Sequence, residues 1–403
     1  MKIIFGFNDI RQDGMGTEAI NLMRTLRKQG IDVQPIHAWN KILIPGYVEE
    51  FHPIFIRDQE EEPLVEDIIA DMVTTINNDV SCSIFSHFGS PNWACVIPYL
   101  RDDIRVVVSV HSITPSALKI ALAYHERVSA FVAISWGIRD RLLKALKKEH
   151  NKINLITNAI DTTLYSPSSF SNANHDSSKI IFFGRIEDYT KGCDKIPQIA
   201  NILKKQGVKF EWDFYGYFHW GYENRFYKLN EKYGVSDVIK YRGCLNPSEI
   251  PGILSQYDIM VMPSNHEGFG LALAEAMAAS LCCVASHIPK VTDMILTSGT
   301  EGFLVERNDI AGFAKAIKTL CEDRSLRKLI GKNAREKVCT QFSLQKQGLE
   351  YVQLFSSIIN SHDYRLIPNP TSLDKFKMPE IVKSHKLARI LPIWLKRFLK
   401  RII

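Results

Sequence analysis

Short apolar runs alternate along the chain with longer stretches whose apolar residues recur at helical spacing. Runs of about five to seven residues are typical of strands buried in a parallel sheet. The predicted strands are residues 2–7, 31–36, 83–87, 105–111, 131–135, 179–185, 209–215, 238–243, 258–262, 282–286 and 301–305. The predicted helices include residues 14–29, 310–320, 326–342 and 345–360. The pattern predicts an α/β fold, and 403 residues favour two domains.

The most informative stretch runs from Pro263 to Ala279, between two predicted strands. Its Ala-rich part contains strong helix formers and no breaker beyond Gly270. A helix that begins here has its N-terminus at the carboxyl edge of a parallel sheet, where free N–H groups and the helix dipole attract anions. Gly268 and Gly270 allow a ligand to approach the backbone closely.

Glu267 and Glu275 flank this anion site. Carboxylates repel phosphate, but they accept charge-assisted hydrogen bonds from hydroxyl groups. A nucleotide sugar requires both kinds of group: backbone N–H groups that bind its phosphates, and carboxylates that bind its hydroxyl groups. The alternative is that Glu275 lies on a solvated helix face, as most helical glutamates do.

Two cations precede the next predicted helix. Arg185 ends the predicted strand 179–185, and Lys191-Gly192 is expected to open the helix that follows. Two fixed cations beside a helix N-terminus can hold a diphosphate without a metal and neutralise the charge of a departing nucleotide. For either cation by itself, an ordinary surface position is the favoured alternative.

The run Glu267-Gly-Phe-Gly-Leu-Ala-Leu-Ala-Glu275 resembles the E-x7-E motif of retaining glycosyltransferases of the GT-B fold, family four. Arg185 and Lys191-Gly192 resemble the same family's Arg…Lys-Gly pattern. The resemblance implies an α/β fold of two Rossmann-like, doubly wound domains that face a central cleft. The implied domains are residues 1–157 together with a crossover helix at 343–360, and residues 158–342.

The resemblance also implies roles for individual residues. Arg185 and Lys191 hold the diphosphate, Glu275 the ribose and Glu267 the sugar hydroxyls. His111 orients the sugar C6 hydroxyl or stabilises the oxocarbenium-like transition state. The implied catalytic residues are thus Glu267, His111, Arg185 and Lys191. The implied donor-binding residues are Gly16, Arg185, Lys191, Cys244, Leu245, Glu267, Gly268, Phe269, Gly270, Leu271 and Glu275, with Cys244 and Leu245 framing the base.

Gly14-x-Gly16-x-x-Ala19 matches a dinucleotide fingerprint. The turn before Gly14 is too long for that fingerprint, and no acid ends the second strand, so NAD is disfavoured. In the GT-B family the longer glycine loop lies near the donor phosphates and the acceptor, and Gly16 takes that role. Ser112 follows His111 where the family often has Asp. His87, also at a strand end, is a candidate on the acceptor side.

Residues 154–161 resemble the family's interdomain segment, which usually reads Asn-Gly-Ile/Val-Asp. Ala159 replaces the glycine, so this turn is expected to avoid positive φ. The Ser- and Asn-rich residues 166–178 predict a surface loop, and residues 216–227 a polar aromatic loop.

Composition points to the cytosol. Eight cysteines are scattered without a CxxC or a Cys/His cluster, which favours reduced thiols. The N-terminus lacks the apolar stretch of a signal peptide, and no apolar run is long enough to span a membrane.

The net charge of +6 is concentrated in a tail, since residues 381–403 carry seven basic residues and no acid. The rest of the chain is therefore close to neutral. At 100° per residue the tail's basic residues share one arc, and its Leu, Trp and Phe residues the opposite side. This pattern predicts an amphipathic helix on an anionic membrane surface, after a linker at 361–378. A helix docked on the protein is the alternative, and a near-neutral body disfavours nucleic acid.

These observations lead us to expect a retaining, metal-independent glycosyltransferase without a cofactor, at the inner face of the cell membrane. The expected donor is a nucleotide sugar, UDP-linked rather than GDP-linked, and the acceptor a lipid-linked glycan of a bacterial surface polysaccharide or lipopolysaccharide. A nucleotide-sugar epimerase of the same fold and a catalytically silent membrane-binding homologue are the alternatives.

Overall fold

The structure is a computed structural model, and it describes residues 1–8, 10, 14–40, 44–58, 64–167 and 177–360. These residues form two compact units. The N-terminal unit comprises residues 1–134, 138–156 and, of the described part, 348–360; the C-terminal unit comprises residues 135–137 and 157–347. The predicted tail helix and the middle of the predicted loop 166–178 lie outside the described residues.

The strands, in chain order, are β1 (Lys2–Phe7), β2 (Asp32–Trp39), β3 (Ile54–Arg57), β4 (Cys82–His87), β5 (Arg105–Val110), β6 (Ala130–Ala133), β7 (Ile153–Leu155), β8 (Ser178–Phe183), β9 (Phe210–Tyr215), β10 (Ile239–Tyr241), β11 (Ile259–Met262), β12 (Cys282–Ser286) and β13 (Gly302–Val305). The helices are α1 (Gly14–Lys28), α2 (Tyr47–Phe51), α3 (Val65–Asn78), α4 (Pro91–Val96), α5 (Pro115–Ala121), α6 (Trp136–Ala145), α7 (Lys195–Lys205), α8 (Tyr222–Lys232), α9 (Ile250–Leu254), α10 (Leu271–Ala278), α11 (Thr292–Ile295), α12 (Ile310–Glu322), α13 (Arg324–Gln341) and α14 (Leu344–Asn360). Short 3-10 turns occur at Ile97–Tyr99, His125–Arg127 and His150–Lys152.

The sheet of the N-terminal unit has seven strands in the order β3-β2-β1-β4-β5-β6-β7, all paired in parallel. Along β1, Lys2 lies opposite Asp32 and Phe7 opposite His37. The strands are buried on both faces because helices connect them, which explains their continuous apolar runs. The strand order reverses between β1 and β4, and the carboxyl edge at such a point is where open α/β sheets bind ligands.

The sheet of the C-terminal unit has six parallel strands in the order β10-β9-β8-β11-β12-β13. Its reversal lies between β8 and β11, where Ile259 is opposite Ile180. Both units are therefore doubly wound, Rossmann-like α/β sheets, and the predicted fold class is confirmed.

Each unit has its own apolar core. In the N-terminal unit, Tyr351 and Phe355 of α14 pack with Ile3 and Phe5 of β1, and the Tyr351 hydroxyl lies 3.3 Å from Oγ of Ser109. Burying each such aromatic side chain stabilises the unit by about 1.5–3 kcal/mol. The second half of α14 is thereby fixed on the N-terminal unit's sheet.

Two element boundaries differ from the sequence predictions. Lys191 does not open a helix, because Gly192 has a φ of +65° and α7 begins only at Lys195. The predicted loop 216–227 is also wrong in its second half, since α8 begins at Tyr222. Tyr222 and Phe226, four residues apart, bury their rings in the C-terminal unit's core and so favour a helix there.

Three smaller expectations can be examined in the described part of the chain. Among its non-glycine residues φ is positive only at four positions, and Ala159 is not one of them, as predicted. All eight cysteines are free thiols, and most are buried. None of the described helices is both long and apolar enough to cross a membrane.

Candidate nucleotide-sugar site

Two loops meet at the carboxyl edge of the C-terminal unit's sheet. The β8 loop comprises residues 184–194, and the β11 loop comprises residues 263–270. They are adjacent because β8 and β11 are neighbouring parallel strands at the point where strand order reverses. Backbone hydrogen bonds join them, since the N–H groups of Asn265 and His266 donate to the carbonyl oxygen of Thr190 at 2.7 and 3.1 Å.

Lys191 and Glu267 form an ion pair between the two loops. Nζ of Lys191 donates to Oε1 of Glu267 at 2.8 Å, and Oγ of Ser264 donates to the same oxygen at 2.7 Å. The Glu267 side chain is only 9% exposed. Two donors therefore hold this carboxylate where little water competes with them. The structure thus brings together two of the residues that the sequence singled out.

Arg185 lies on the same β8 loop and contacts Thr190 and Glu187. Its Nη2 donates to Oγ1 of Thr190 at 3.1 Å and lies 3.6 Å from Oε1 of Glu187. Its Nε is buried and has no hydrogen-bond partner among the residues that the structure describes. A buried guanidinium N–H without an acceptor is costly, and an anionic ligand would satisfy it.

Glu187 was not identified from the sequence. It accepts the Thr190 backbone N–H at 3.0 Å and also the Thr190 hydroxyl. Burial acts to raise the pKa of this carboxyl, but the bonds from Thr190 and the nearby Arg185 more than offset it and hold the pKa low. The charge of Glu187 therefore fixes the turn that carries Arg185 and Lys191. No local motif announces this role, because the contact depends on the shape of the turn.

The β11 loop leads directly into helix α10. Gly270 is its N-cap with a φ of +115°, a conformation that favours glycine, and no side chain caps the helix there. The first N–H groups, beginning at Leu271, therefore remain for a ligand. Phe269 is buried and packs edge-on against Phe342, which anchors the loop, while Gly268 is half-buried.

Glu275 is on the first turns of α10 but not on a solvated face. Its Oε1 accepts the hydroxyl of Tyr165 at 3.0 Å, and the carboxyl is half-buried. Burial raises the pKa of Glu275 to about 7, although the Tyr165 hydrogen bond acts in the opposite direction. Oε1 of this carboxyl has a donor, and Oε2 can accept a hydrogen bond from a ligand hydroxyl group.

Cys244 and Leu245 follow β10, Cys244 exposed and Leu245 half-buried. The structure does not bring them into contact with the Lys191–Glu267 pair. They are two strands away from β8, which corresponds to about 10 Å at the usual strand spacing.

The remaining two predicted residues belong to the N-terminal unit. Gly16 is a buried residue in the first turn of α1. His111 directly follows β5, and burial lowers its pKa to about 4, so its ring is neutral. The ring meets Phe88 edge-on at 5.0 Å, and its buried Nε2 has no partner among the described residues. Ser112, in the place of the family's Asp, bonds instead to the hydroxyl of Thr114 at 3.2 Å.

His87 ends β4 and is fully buried. Burial lowers its pKa to about 3, and its Nδ1 accepts the N–H of Gly89 at 3.1 Å. The acceptor role suggested for His87 stays a prediction.

Comparison with known proteins identifies the class that this fold and site define. The family model described as "Glycosyltransferase Family 4" matches residues 12–164, and the model "Glycosyl transferases group 1" matches residues 168–337. The chain belongs to family four of the GT-B-fold glycosyltransferases.

Individual relatives agree with this family. A UDP-Gal:alpha-D-GlcNAc-diphosphoundecaprenol alpha-1,3-galactosyltransferase of Escherichia coli is 35% identical over 112 residues, 28% of each chain. A capsular polysaccharide biosynthesis glycosyltransferase of Staphylococcus aureus, CapM, is 30% identical over 129 residues, which are 32% of this chain and 30% of CapM. The chain thus spans less than a third of either relative.

The similarity of fold extends further than the similarity of sequence. The structure of Anabaena HepE with UDP and glucose superimposes with a TM-score of 0.74, covering 89% of this chain and all of the other. The two sequences are 17% identical, so this likeness establishes the GT-B fold and nothing finer.

Proposed function

We propose that this chain is a retaining glycosyltransferase that moves a sugar from a nucleotide-sugar donor, UDP-linked by preference, to a lipid-linked glycan acceptor. The observation that carries the proposal is the Lys191–Glu267 pair at the reversal of strand order, with the unsatisfied Nε of Arg185 on the same loop. Two cations and one carboxylate at such an edge fit a diphosphate joined to a polyhydroxylated ring.

In the structure, Lys191 and Glu267 satisfy each other. A bound diphosphate would compete for the Lys191 ammonium and release Glu267 toward the sugar hydroxyls. Arg185, whose Nε lacks an acceptor, would take a second phosphate oxygen. The free N–H groups of α10 add the positive end of a helix dipole. No metal is needed to neutralise the leaving group in this arrangement.

The chemistry that we propose is front-face attack with retention. The acceptor hydroxyl approaches the face that the nucleotide leaves, and the departing phosphate oxygen takes its proton. Arg185 and Lys191 stabilise the charge that develops on the leaving group. Glu267 and Glu275 therefore serve as hydroxyl ligands, on the sugar and the ribose, and not as the acid and base of a hydrolase.

The neutral state of His111 narrows its proposed role. A ring with a pKa of about 4 carries no charge near neutral pH, so its interaction with the donor would be a neutral hydrogen bond and not an ionic one. Its unpartnered Nε2 can bond to a hydroxyl group. We therefore favour the role of orienting the sugar C6 hydroxyl.

The relatives support the choice of donor and acceptor. The Escherichia coli relative is named for UDP-Gal and a diphosphoundecaprenol-linked sugar, and HepE was solved with UDP. CapM is named for capsular polysaccharide biosynthesis. By analogy, this chain would act in the assembly of a bacterial surface polysaccharide or lipopolysaccharide.

A donor screen tests the proposal directly. Purified protein is incubated with a panel of UDP- and GDP-sugars, and nucleotide release by slow hydrolysis is measured with and without excess EDTA. We expect release from one UDP-sugar, unchanged by EDTA. A new free nucleotide sugar without nucleotide release would instead identify an epimerase, and neither product from any donor would favour a silent homologue.

Residues 381–403, which lie outside the described part of the chain, carry the proposal of a peripheral membrane location. Each of the seven basic residues contributes roughly 1 kcal/mol near an anionic leaflet, and Trp394 suits the headgroup boundary. Deleting 379–403 should abolish sedimentation with anionic liposomes and slow transfer to a lipid-linked acceptor. Donor binding and use of a soluble acceptor analogue should persist. A truncated protein that unfolds, or that still sediments fully, would reassign this segment to the protein body.

A further inference from the structure

Lys195 is the first residue of α7, and it is buried to 7% exposure among apolar neighbours on that helix. Its Nζ donates to the carbonyl oxygen of Pro263 at 2.8 Å and to Oδ1 of Asn265 at 2.5 Å. Burial lowers the pKa of this ammonium, although nearby Asp188 opposes the effect. Burying an ammonium costs free energy unless hydrogen bonds replace those to water. Lys195 has two such bonds, to Pro263 and Asn265.

Asn265 continues the connection in the other direction. Its Nδ2 donates to the carbonyl oxygen of Asp188 at 2.7 Å and lies 3.3 Å from that of Tyr189. One amide side chain therefore bonds to the lysine with its oxygen and to the β8 loop with its nitrogen. Lys195 and Asn265 together join the base of α7, the β8 loop and the β11 loop.

The fit between these parts leaves no room for a side chain at Gly192. A Cβ there would come within 2.2 Å of the Pro263 carbonyl oxygen and 2.9 Å of Nζ of Lys195. The two loops are thus in direct backbone contact at the point where the ammonium binds.

We infer that Lys195 and Asn265 form a latch that positions Lys191 and Glu267 for sugar transfer. The inference rests on the proposed function, because it assigns those two side chains to the diphosphate and the sugar. Lys195 itself does not contact the donor in this scheme, since its Nζ is directed into the protein and bonded to Pro263 and Asn265. It is a positioning residue.

The kinetic test uses Lys195→Met, which keeps a similar unbranched side chain without the ammonium, and Asn265→Ala. With the donor found by screening, each variant should lower kcat about 10- to 100-fold, while KM for the donor and affinity for UDP change less than kcat, because Lys191 is displaced and not removed. The double variant should be no worse than the worse single one, because both remove the same latch. Lys204→Met is the matched control, since this exposed lysine on α7 pairs with Asp237. It should leave all values unchanged.

A second readout is independent of catalysis. The N–H groups of Asn265 and His266, which bond to Thr190, should exchange with deuterium at least about tenfold faster in Lys195→Met than in the parent. If the parent protein turns over no nucleotide sugar, the proposed function fails, while the exchange data still decide whether the latch orders the loops. Should Lys195→Met not fold, Asn265→Ala carries both measurements. Unchanged kcat and exchange in a folded variant, or losses that multiply in the double variant, would overturn the latch.

Discussion

At the carboxyl edge of the C-terminal unit's sheet, charged side chains are paired and tied to the backbone of two loops. Lys191 meets Glu267, and Arg185 lies beside Glu187. At the same edge of the N-terminal unit's sheet, the strand ends present His87 and His111, which burial keeps neutral. Aromatic rings accompany them, with Phe88 against His111.

The contrast indicates two different kinds of ligand. Charges that are fixed before binding reorganise little when an ionic group arrives, so the C-terminal edge suits a nucleoside diphosphate. Neutral ring nitrogens and aromatic faces are suited to an uncharged, hydroxyl-bearing molecule. Two sheets of the same architecture thus present different chemistry at their carboxyl edges through the few residues that follow their strands.

The largest expected effect comes from Glu267→Gln, which keeps the shape of the side chain and removes its charge. Sugar transfer should fall about 10²- to 10³-fold, as for loss of one transition-state hydrogen bond. UDP affinity should stay the same or rise, because Lys191 no longer has a competing partner. Calorimetric titration with UDP and a transfer assay measure the two quantities. Weaker UDP binding in this variant would show that Glu267 contacts the nucleotide.

Lys191→Ala should have the opposite signature. Loss of a charge-assisted bond worth about 1.5–3 kcal/mol should weaken UDP binding about 10- to 150-fold, and Arg185→Ala should behave similarly. Lys204→Ala, an exposed lysine that pairs with Asp237, is the control and should bind UDP as before. Unchanged UDP affinity in both cation variants would mean that the diphosphate does not bind to Lys191 and Arg185. The proposed difference in ligands between the two sheet edges would then be wrong.

The sequence was sufficient for the features that depend on local pattern. Apolar runs located eleven of the thirteen described strands and missed β3 and β7, and the strand order seen in the structure places Arg185 and Glu267 on adjacent loops. The start of α7 was misplaced, because the positive φ of Gly192 adds a turn that no apolar pattern records. The start of α8 was missed because residues 216–227 mix polar and aromatic side chains, a composition that resembles a loop.

The supporting contacts were beyond the reach of the sequence. Tyr165 donates to Glu275 from 110 positions away, and Lys195 reaches Asn265 across 70. Such pairs depend on how strands are ordered in the sheet and on the conformations of several loops at once. A lysine or tyrosine in a sequence has no pattern that specifies a distant partner.

Glu275 should make UDP binding depend on pH. With a pKa of about 7, it becomes a better acceptor for ribose hydroxyls as pH rises, so affinity should increase about tenfold from pH 6 to pH 8. Glu275→Gln removes this dependence and leaves only that of the UDP phosphate.

The raised pKa of Glu275 also affects stability. Between pH 4.5, the ordinary pKa of a glutamate, and pH 7, the carboxyl ionises more readily in the unfolded chain than in the fold, so the free energy of unfolding falls as pH rises. The variant should therefore gain thermal stability at pH 8 relative to pH 5, and equal gains at both would contradict the shift.

His111→Gln tests the neutral edge. Loss of one neutral hydrogen bond should reduce kcat about two- to tenfold and leave UDP affinity unchanged. The wild-type rate should show no titration of this ring between pH 5.5 and pH 8, because its pKa is about 4. The pH profile of transfer, compared between the two proteins, is the measurement. An inflection near pH 6 that disappears in the variant would show that His111 becomes a cation during transfer. The N-terminal edge would then be charged, as the C-terminal edge is.

The smallest effect is expected for Tyr165→Phe, which removes only a hydroxyl. That hydroxyl donates to Glu275 at 3.0 Å and thereby lowers the carboxyl's pKa against the larger effect of burial. Without it, the pKa should rise by up to about one unit, since one unit corresponds to about 1.4 kcal/mol, the order of one hydrogen bond. UDP affinity should then be up to about fivefold weaker at pH 7 and should approach that of the parent at pH 9, where most of the carboxyl is ionised in both proteins. A uniform loss at every pH would mean that Tyr165 supports the shape of the site, whereas a displaced midpoint identifies it as the residue that sets the charge of Glu275.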